Sequence, residues 1–454
     1  MKTLWAKQAL LKDGWASGVA ISISSEGRVA SIETDVESVG LALDILLPAP
    51  ANCHSHAFQR AMAGLTEKRG KSESDSFWTW RKLMYRFLDK LTPDQVQAIA
   101  AFVQMEMLEA GFGSVAEFHY LHHQVNGSPY ARLSEMADRI AVASTQSGIG
   151  LTMLPVQYQF GGCDQRPLSA GQRRFGNSPD QFAKLVSDVR DTMKSLPRDA
   201  NLGVAPHSLR AVAPEQLRDA PLLAEAGPVH IHIAEQRSEV EEVQNAWGAR
   251  PVEWAVENLP LDQKWCMVHA TQMTRSETVS LARTGAVAGL CPITESNLGD
   301  GIFDGVRWMN SKGKIALGSD SNVLISLAEE MRVLDNSQRL RDNTRAALAT
   351  QDASTGRRIF EAACEGGGQS AGRGTGKIAV GEWADLLSLD MTHVDLTGLV
   401  GDTVLDSFAI CGNNTMVTNV WSAGRHMVVD GHHIHKDAIT VAYRKAVAEL
   451  RTGL

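Results

Sequence analysis

The sequence lacks the features that mark disulfide-bonded, secreted or membrane-spanning proteins. Its six cysteines lie singly along the chain without a Cys-x-x-Cys pair, which argues against a disulfide framework and against a thiolate zinc site. No apolar run reaches the roughly 18 residues that a transmembrane helix needs, and the N-terminus lacks the basic head and long apolar segment of a signal peptide. These absences predict a cytoplasmic protein without a membrane partner.

An excess of basic residues is also missing. The 44 Lys and Arg residues are outnumbered by 52 Asp and Glu residues, which gives a net charge of -8 and a pI near 6.0. Nucleic acid is therefore not a predicted partner. The 44% of hydrophobic residues is typical of a globular protein, and the length allows two or three domains or one large barrel with an appendage.

Both ends of the chain have a residue pattern that is typical of short antiparallel strands. Residues 1–47 alternate apolar and polar residues, and residues 376–436 do so again with glycine at the turns. We expect these two segments to form one small β-sandwich domain. Residues 437–454 have the periodicity of a C-terminal helix, and the glycine-rich segment 366–376 predicts a linker into the small domain.

The middle of the chain, residues 48–375, carries short apolar runs separated by helical segments. Runs of near-continuous apolar character are typical of parallel strands that are buried on both faces. Their number, eight, predicts a (β/α)8 barrel of the TIM type. The runs lie in DILLPAPANCHSH, GSVAEFHY, IGLTMLPV, LGVAPHS, PVHIHIAEQ, KWCMVHAT, GAVAGLCP and KIALGSDS.

The first run ends in a His-x-His pair. Because side chains alternate along a strand, His54 and His56 point to one side while Ser55 points to the other, so both imidazoles can reach one metal ion. Active sites of such barrels lie at the carboxyl ends of the strands. Taken alone the motif is weak, and two surface or capping histidines are the alternative interpretation.

Further polar residues stand at the ends of later runs. His230, His232 and Glu235 end the fifth run, His269 ends the sixth and Asp320 ends the eighth. Nitrogen and oxygen donors from these strands predict a site for zinc or a similar divalent ion. His232 lies nearer the carboxyl end than His230, so we expect His232 to be the ligand and His230 to lie in the barrel interior or behind the ligands.

These motifs resemble those of the amidohydrolase superfamily, and within it they are very like those of the formimidoylglutamate deiminases of histidine degradation. The resemblance covers nearly the whole chain. Its specific stretches are NCHSHAFQRAMAGLTE, SFWTWRKLMYRFLDKLTP, FHYLHH, APHSLRAV, HIHIAEQ and ALGSDSNVLISLAEEMR.

The resemblance implies one divalent metal ion, with zinc preferred over iron or manganese. A second ion would need a bridging lysine after the fourth run, where the chain has His207. The metal ligands of the family fall on His54, His56, His232 and Asp320, and its proton-handling residues fall on Glu235, His269 and Asp320. Glu235 would carry a proton to the leaving nitrogen. His269 is either a ligand or a hydrogen-bond partner of the attacking water, and the resemblance favours the second role.

The resemblance also implies a small dicarboxylate substrate. Arginine matches a carboxylate in a bidentate way, and the substrate-contact positions of the family fall on Gln59, Arg81, Tyr120, His207 and Arg210. Without the resemblance, each arginine would be interpreted as a surface charge. The predicted reaction is metal-dependent hydrolytic deimination of N-formimino-L-glutamate to N-formyl-L-glutamate and ammonia.

Two other functions stay open at this point. A guanine-type deaminase of the same superfamily would need stacking surfaces in place of two carboxylate-binding arginines. A non-catalytic scaffold would be expected to have lost metal ligands. Relatives imply a homodimer, whereas the sequence assigns no role to His122, His123 or the loop 291–301.

Overall fold

The protein is described by a computed structural model that covers residues 2–67 and 77–452, without the side chains of residues 77–82. Strands occur near both chain ends and throughout the middle. They are β1 (Lys2–Leu11), β2 (Gly14–Ile23), β3 (Val29–Glu33), β4 (Leu41–Pro48), β5 (Ala51–Ser55), β6 (Ser114–His119), β7 (Gly150–Gln157), β8 (Asn201–Leu202), β9 (Ala205–Pro206), β10 (Val229–Ile233), β11 (Trp265–His269), β12 (Val287–Leu290), β13 (Lys314–Leu317), β14 (Leu386–Leu389), β15 (Val417–Ser422), β16 (Arg425–Val429) and β17 (His432–His433).

Helices separate most of the central strands, and no helix within the described ranges is long and apolar enough to cross a membrane. Serine or threonine caps followed by proline start several of them, as at Thr92 and Ser178, because the side chain accepts a free backbone N–H. The helices are α1 (Phe77–Leu88), α2 (Pro93–Glu109), α3 (Glu135–Ser147), α4 (Pro179–Met193), α5 (Pro214–Ala224), α6 (Arg237–Trp247), α7 (Pro251–Asn258), α8 (Arg275–Ala282), α9 (Pro292–Leu298), α10 (Gly305–Asn310), α11 (Leu327–Asp342), α12 (Thr355–Ser370), α13 (Asp402–Cys411) and α14 (Lys436–Arg451).

Strands from both chain ends form one sheet, as the alternating pattern predicts. Its order is β17-β16-β15-β14-β4-β1-β2-β3, and every pair is antiparallel except the parallel pair β1–β4. Apolar side chains on one face, among them Leu4, Ile21 and Trp421, form a core of their own. An isolated antiparallel bridge between Arg28 and Trp383 brings the β2–β3 turn to the segment before β14.

The central strands form two parallel sheets, β5-β6-β7-β8 and β10-β11-β12-β13, and β9 also pairs with β7. Nearly every residue of these strands is buried, in agreement with their continuous apolar character. Isolated parallel bridges join the sheets on both sides, between Val204 and Val229 and between Ser55 and Asp320. The polar residues that follow the strands therefore come together at one end.

Two of the eight runs are divided differently from the sequence prediction. The first run contains two strands, since β4 belongs to the chain-end sheet and β5 to the parallel sheets, with Ala49 and Pro50 between them. The fourth run is interrupted, because only the two-residue strands β8 and β9 pair with β7. The His-x-His pair thus begins within the short strand β5 itself.

The prediction of a linker over residues 366–376 was wrong for its first half, because α12 continues to Ser370. A β-carbon at Gly366 would lie 2.0 Å from the backbone oxygen of Ile315, and one at Gly367 would lie 2.8 Å from that of Ala51. These glycines let the helix approach β13 and β5 closely. The glycine-rich composition reflects tight packing rather than a flexible connection.

Candidate active site

The polar residues at the strand ends line one cavity. It brings together nearly all of the predicted residues whose side chains the structure describes, although they come from six separate segments of the chain. Residues that the sequence did not predict also line it: Met84, Tyr158, Phe175, Thr294, Leu298 and Ser321. The predicted residues in the lining are His56, Gln59, Tyr120, His207, Arg210, His232, Glu235, His269 and Asp320.

Three histidine nitrogens meet beneath this cavity. The Nε2 atom of His54 lies 3.2 Å from Nε2 of His56 and 3.1 Å from Nε2 of His232. The Nδ1 atoms of His56 and His232 lie 3.0 and 3.1 Å from the carbonyl oxygens of Phe118 and His207. Since a carbonyl oxygen can only accept, Nδ1 carries the proton and the Nε2 lone pairs of both rings point at the shared centre.

Burial keeps these imidazoles uncharged. It lowers the pKa of His54 to about 3 and also lowers the pKa of His56 and His232. The carboxylate Oδ1 of Asp320 lies 3.6 Å from Nε2 of His54 and 3.4 Å from that of His56. Converging lone pairs and a carboxylate repel one another unless a cation lies among them, so this donor set fits a divalent metal ion.

Backbone hydrogen bonds fix these ligands relative to one another. The N–H groups of Ser319 and Asp320 both donate to the carbonyl of His54, and the N–H of His56 donates to the carbonyl of Asp320. A β-carbon at Gly318 would lie 2.8 Å from the backbone nitrogen of His54, so only glycine permits this approach. The first and last parallel strands are therefore held in one register at the site.

Asn52 is a positioning residue that the sequence analysis missed. Its side chain donates to Ser319 Oγ at 2.7 Å and accepts from the N–H of Ser319 at 3.1 Å, and it also accepts from the N–H of His54. The Asn52 side chain is fully buried, so its polar groups need partners, but this burial is seen only in the structure. Asn52 thereby links the segments that carry His54 and Asp320.

The proton-handling candidates lie beside the histidine cluster. Nε2 of His269 is 4.0 Å from Glu235 Oε1 and 4.0 Å from Asp320 Oδ2. Burial raises the pKa of Glu235, while three surrounding carboxylates raise the pKa of His269 although burial opposes this. His269 and Asp320 have φ values of 69° and 43°, an unfavourable conformation that proteins retain chiefly at functional sites.

The loop 291–301 supplies a partner for His269. Its residues form α9, and Nδ1 of His269 lies 3.1 Å from the carboxylate of Glu295. Thr294 and Leu298 of the same helix line the cavity. No sequence pattern indicates which side chain in this loop reaches the site.

Four of the substrate-binding candidates line the cavity. Gln59 Nε2 donates to the Tyr120 hydroxyl at 2.8 Å, and His207 packs against the ring of Tyr158. Nε of Arg210 is buried and has no hydrogen-bond partner among the described residues. Burial opposes the charge of this guanidinium, but nearby acids raise its pKa. Arg81 belongs to α1, but its side chain lies outside the described part of the chain.

The remaining histidines near the site have structural partners. His122 Nε2 lies 2.9 Å from the carbonyl oxygen of Val156, and His123 Nε2 lies 2.8 Å from that of Gly176. His230 lies 2.7 Å from the carbonyl oxygen of Ser370, below the histidine cluster and away from the cavity lining. Each imidazole therefore donates to the backbone.

Comparison with known proteins shows the family to which the chain belongs. Residues 45–427 match the model of the amidohydrolase family, and residues 1–40 match that of the formimidoylglutamate deiminase HutF N-terminal domain. A curated formimidoylglutamate deiminase from Pseudomonas aeruginosa is 44% identical over 457 residues, which span 99% of this chain and 100% of the relative.

Solved structures give the same result. An amidohydrolase from Brucella melitensis is 46% identical with a TM-score of 0.95, covering 99% of this chain and 100% of that chain. An adenosine deaminase from Xanthomonas campestris with bound zinc has a TM-score of 0.82 at 20% identity, covering 99% and 98%, and is similar in fold alone. The chain belongs to the amidohydrolase family and, within it, to the formimidoylglutamate deiminases.

Proposed function

We propose that this protein hydrolyses the formimino group of N-formimino-L-glutamate, giving N-formyl-L-glutamate and ammonia in histidine degradation. The relative that is 44% identical over the whole chain is a curated formimidoylglutamate deiminase. The observation that carries the proposal is the buried, unpartnered Nε of Arg210 in the cavity that His56 and His232 also line. One site thus offers a cation for a carboxylate beside a cluster of metal-binding nitrogens.

We infer that the parallel strands close into a (β/α)8 barrel of the TIM type, with the chain-end sheet beside it. Support comes from the parallel bridges Val204–Val229 and Ser55–Asp320, which join the two parallel sheets on both sides. Enzymes with this barrel fold have their active sites at the carboxyl ends of the barrel strands. The cavity described above occupies that end.

One zinc ion is the proposed cofactor. His54, His56, His232 and Asp320 would hold it, because neutral imidazoles and a carboxylate suit a borderline ion such as zinc. The ion supplies Lewis acidity that activates water at neutral pH. The support is the convergence of Nε2 atoms within 3.2 Å and the zinc bound by the Xanthomonas campestris structure of the same fold.

The chain's own residues would then move the protons. Asp320 accepts a hydrogen bond from the attacking water, and His269 orients this water and polarises the imino carbon. Glu235 is buried 4.0 Å from His269, and its raised pKa suits a group that carries a proton to the leaving nitrogen. The products are a neutral formyl amide and ammonia.

The two carboxylates of the substrate call for fixed donors. Arg210 would bind one carboxylate and Arg81 the other, with Gln59, Tyr120 and His207 as further donors. The Gln59–Tyr120 hydrogen bond already orients two of these groups along the cavity wall. The partner of the protein is therefore a small-molecule dicarboxylate.

The proposal also covers the cellular location and the oligomeric state of the protein. All six cysteines are free thiols, which supports a reducing, cytoplasmic location. A homodimer is the assembly that the family resemblance implies, and light scattering after size-exclusion chromatography measures it directly.

Steady-state release of ammonia tests the proposed function. The protein is assayed with N-formimino-L-glutamate and, in parallel, with guanine. We expect turnover of the first substrate only, and turnover of guanine alone would contradict the assignment.

The same assay on Arg210→Met tests carboxylate recognition. Loss of a charge-assisted hydrogen bond is expected to lower kcat/KM for N-formimino-L-glutamate about 10- to 100-fold. Arg218→Met is the matched control, because Arg218 is an exposed arginine on α5, the helix that follows Arg210. An unchanged kcat/KM for Arg210→Met would contradict the substrate assignment but not the proposed metal site.

A further inference from the structure

Glu295 is a buried acid whose carboxylate meets a site residue that the proposed reaction uses. Its Oε1 atom lies 3.1 Å from Nδ1 of His269 and accepts the backbone N–H of Cys291 at 2.9 Å. We propose that Glu295 is a positioning residue that holds His269 with Nδ1 protonated, so that Nε2 faces the reacting centre. This inference rests on the proposed deiminase function.

The geometry around His269 explains why one acceptor decides the ring's orientation. An imidazole has two ring nitrogens, Nδ1 and Nε2, on different edges. A carboxylate that lies at Nδ1 requires a proton on Nδ1, because the carboxylate can only accept a hydrogen bond. The other nitrogen, Nε2, then lies 4.0 Å from both Glu235 Oε1 and Asp320 Oδ2. Without the acceptor, the ring could rotate or change tautomer and present the wrong nitrogen to water and substrate.

The position of Glu295 is itself fixed by α9. Glu295 lies in the first turn of this helix, where unpaired N–H groups favour a carboxylate. The helix start is anchored by Glu330, which accepts the N–H of Ile293 at 3.0 Å. Thr294 and Ser321 share a hydroxyl hydrogen bond of 2.9 Å, which ties α9 to the residue after Asp320. The carboxylate therefore has a rigid support.

A second cation beside His269 is the competing explanation. His269, Cys291 and Glu295 each offer a possible ligand atom, and these atoms lie within 4.8 Å of one another. However, Oε1 of Glu295 already accepts two N–H groups, and a metal at Nδ1 would displace the proton that makes one of these bonds. The observed hydrogen bonds therefore favour positioning over metal binding.

Kinetics with Glu295→Gln separates positioning from general damage to the site. The amide keeps the size of the side chain but loses the charge, so kcat is expected to fall about 10- to 100-fold, as for other supports of site histidines. KM should stay within about twofold, because Glu295 is absent from the cavity lining. Metal content should stay equal to that of the wild-type protein.

Glu330→Gln is the matched control. Glu330 is also a buried acid that accepts a backbone N–H of α9, and no hydrogen bond or ion pair joins it to His269 among the described residues. We expect kcat of this variant to stay within about twofold of wild type. Equal losses of kcat in both variants would mean that Glu295 merely supports the helix, and the proposal would fail.

A spectroscopic measurement tests the hydrogen bond without turnover. Wild-type protein labelled with 15N-histidine should show a downfield Nδ1–H signal that disappears in His269→Gln and moves upfield in Glu295→Gln. Absence of this signal from the wild-type protein would overturn the proposal, even if Glu295→Gln failed to fold. A metal content of two equivalents in the wild-type protein that falls to one in Glu295→Gln would also overturn it, in favour of a second cation.

The two proposals can fail separately. If the wild-type protein releases no ammonia from N-formimino-L-glutamate, the substrate assignment fails. The histidine signal and the metal content still decide whether Glu295 holds His269.

Discussion

At the scale of the residue, the site depends on which nitrogen of each imidazole is free. His232 donates Nδ1–H to the carbonyl of His207 and directs Nε2 at His54, whereas His230 on the same strand binds the carbonyl of Ser370. His230 and His232 are two residues apart on β10, yet they have different roles. Of these two histidines, only His232 directs a lone pair at the proposed metal ion.

Replacing His232 by Gln is expected to remove this ligand. We predict a loss of bound zinc and a fall in kcat of at least about 100-fold, since an ion with one fewer nitrogen donor is held weakly and in poor geometry. Elemental analysis of protein purified without chelators measures the metal, and ammonia release measures kcat.

His230→Gln is the control for this prediction. Glutamine can still donate to the carbonyl of Ser370, so this variant should retain its zinc. Loss of zinc from His230→Gln with retention in His232→Gln would show that the ligand was chosen wrongly.

Sequence reasoning could predict residues whose role follows from strand position. His54, His56, His232, His269 and Asp320 all stand at the ends of apolar runs, and they do come together. Glu295 and Asn52 were missed because their roles depend on partners far away in the sequence, His269 and Ser319. A hydrogen bond of this kind leaves no periodic signal in the chain.

At the scale of the element, α9 and α11 share a buried acid that is isolated from water. One carboxyl oxygen of Glu330 accepts the N–H of Ile293, and the other has no partner in the described part of the chain. Burial raises the pKa of Glu330 well above its usual range. The folded protein therefore favours the neutral acid.

This raised pKa predicts how stability depends on pH. The contribution of Glu330 to unfolding free energy is complete below its unfolded pKa of about 4.3 and is lost as pH rises toward the folded pKa. Glu330→Gln cannot ionise, so its Tm relative to wild type should rise between pH 5 and pH 8. Thermal unfolding at several pH values measures this difference.

The neighbouring acid Glu329 provides the comparison. It lies half-buried on the same helix, where it pairs with Arg332. Because a half-exposed ion pair contributes little to stability, the Tm of Glu329→Gln should lie close to that of wild type. A Tm difference for Glu330→Gln that does not change with pH would contradict the prediction.

At the scale of the whole molecule, the parallel strands and the chain-end sheet followed from the pattern of apolar residues, but the junctions between elements did not. Eight runs indicated the parallel strands, and the alternating ends indicated the second sheet. The division of the first run into β4 and β5 was missed, because both halves are equally apolar and belong to different sheets. The glycines of α12 were misinterpreted because glycine occurs both where elements pack closely and where the chain is flexible.

The two parts of the fold are joined by a buried ion-pair network that carries no sequence signature. Arg373 pairs with Asp199, which precedes β8, and with Asp385, which precedes β14, at 3.1 and 2.9 Å. Arg425 pairs with the same Asp199 at 2.7 Å. Although burial opposes ionisation, these bonds lower the pKa of Asp199, so its stabilising effect is present at neutral pH and is lost in acid.

Arg373→Met tests whether this network couples the chain-end sheet to the parallel sheets. The substitution leaves two carboxylates buried with fewer partners, and breaking such a pair costs about 3–5 kcal/mol of unfolding free energy. Arg198→Met is the control, because exposed Arg198 pairs with exposed Glu26 and should contribute less than about 1 kcal/mol. Chemical denaturation of both variants measures the two losses. Since the network spans both parts, we expect one cooperative transition for Arg373→Met at lower denaturant concentration, and equal stability of the two variants would refute the coupling.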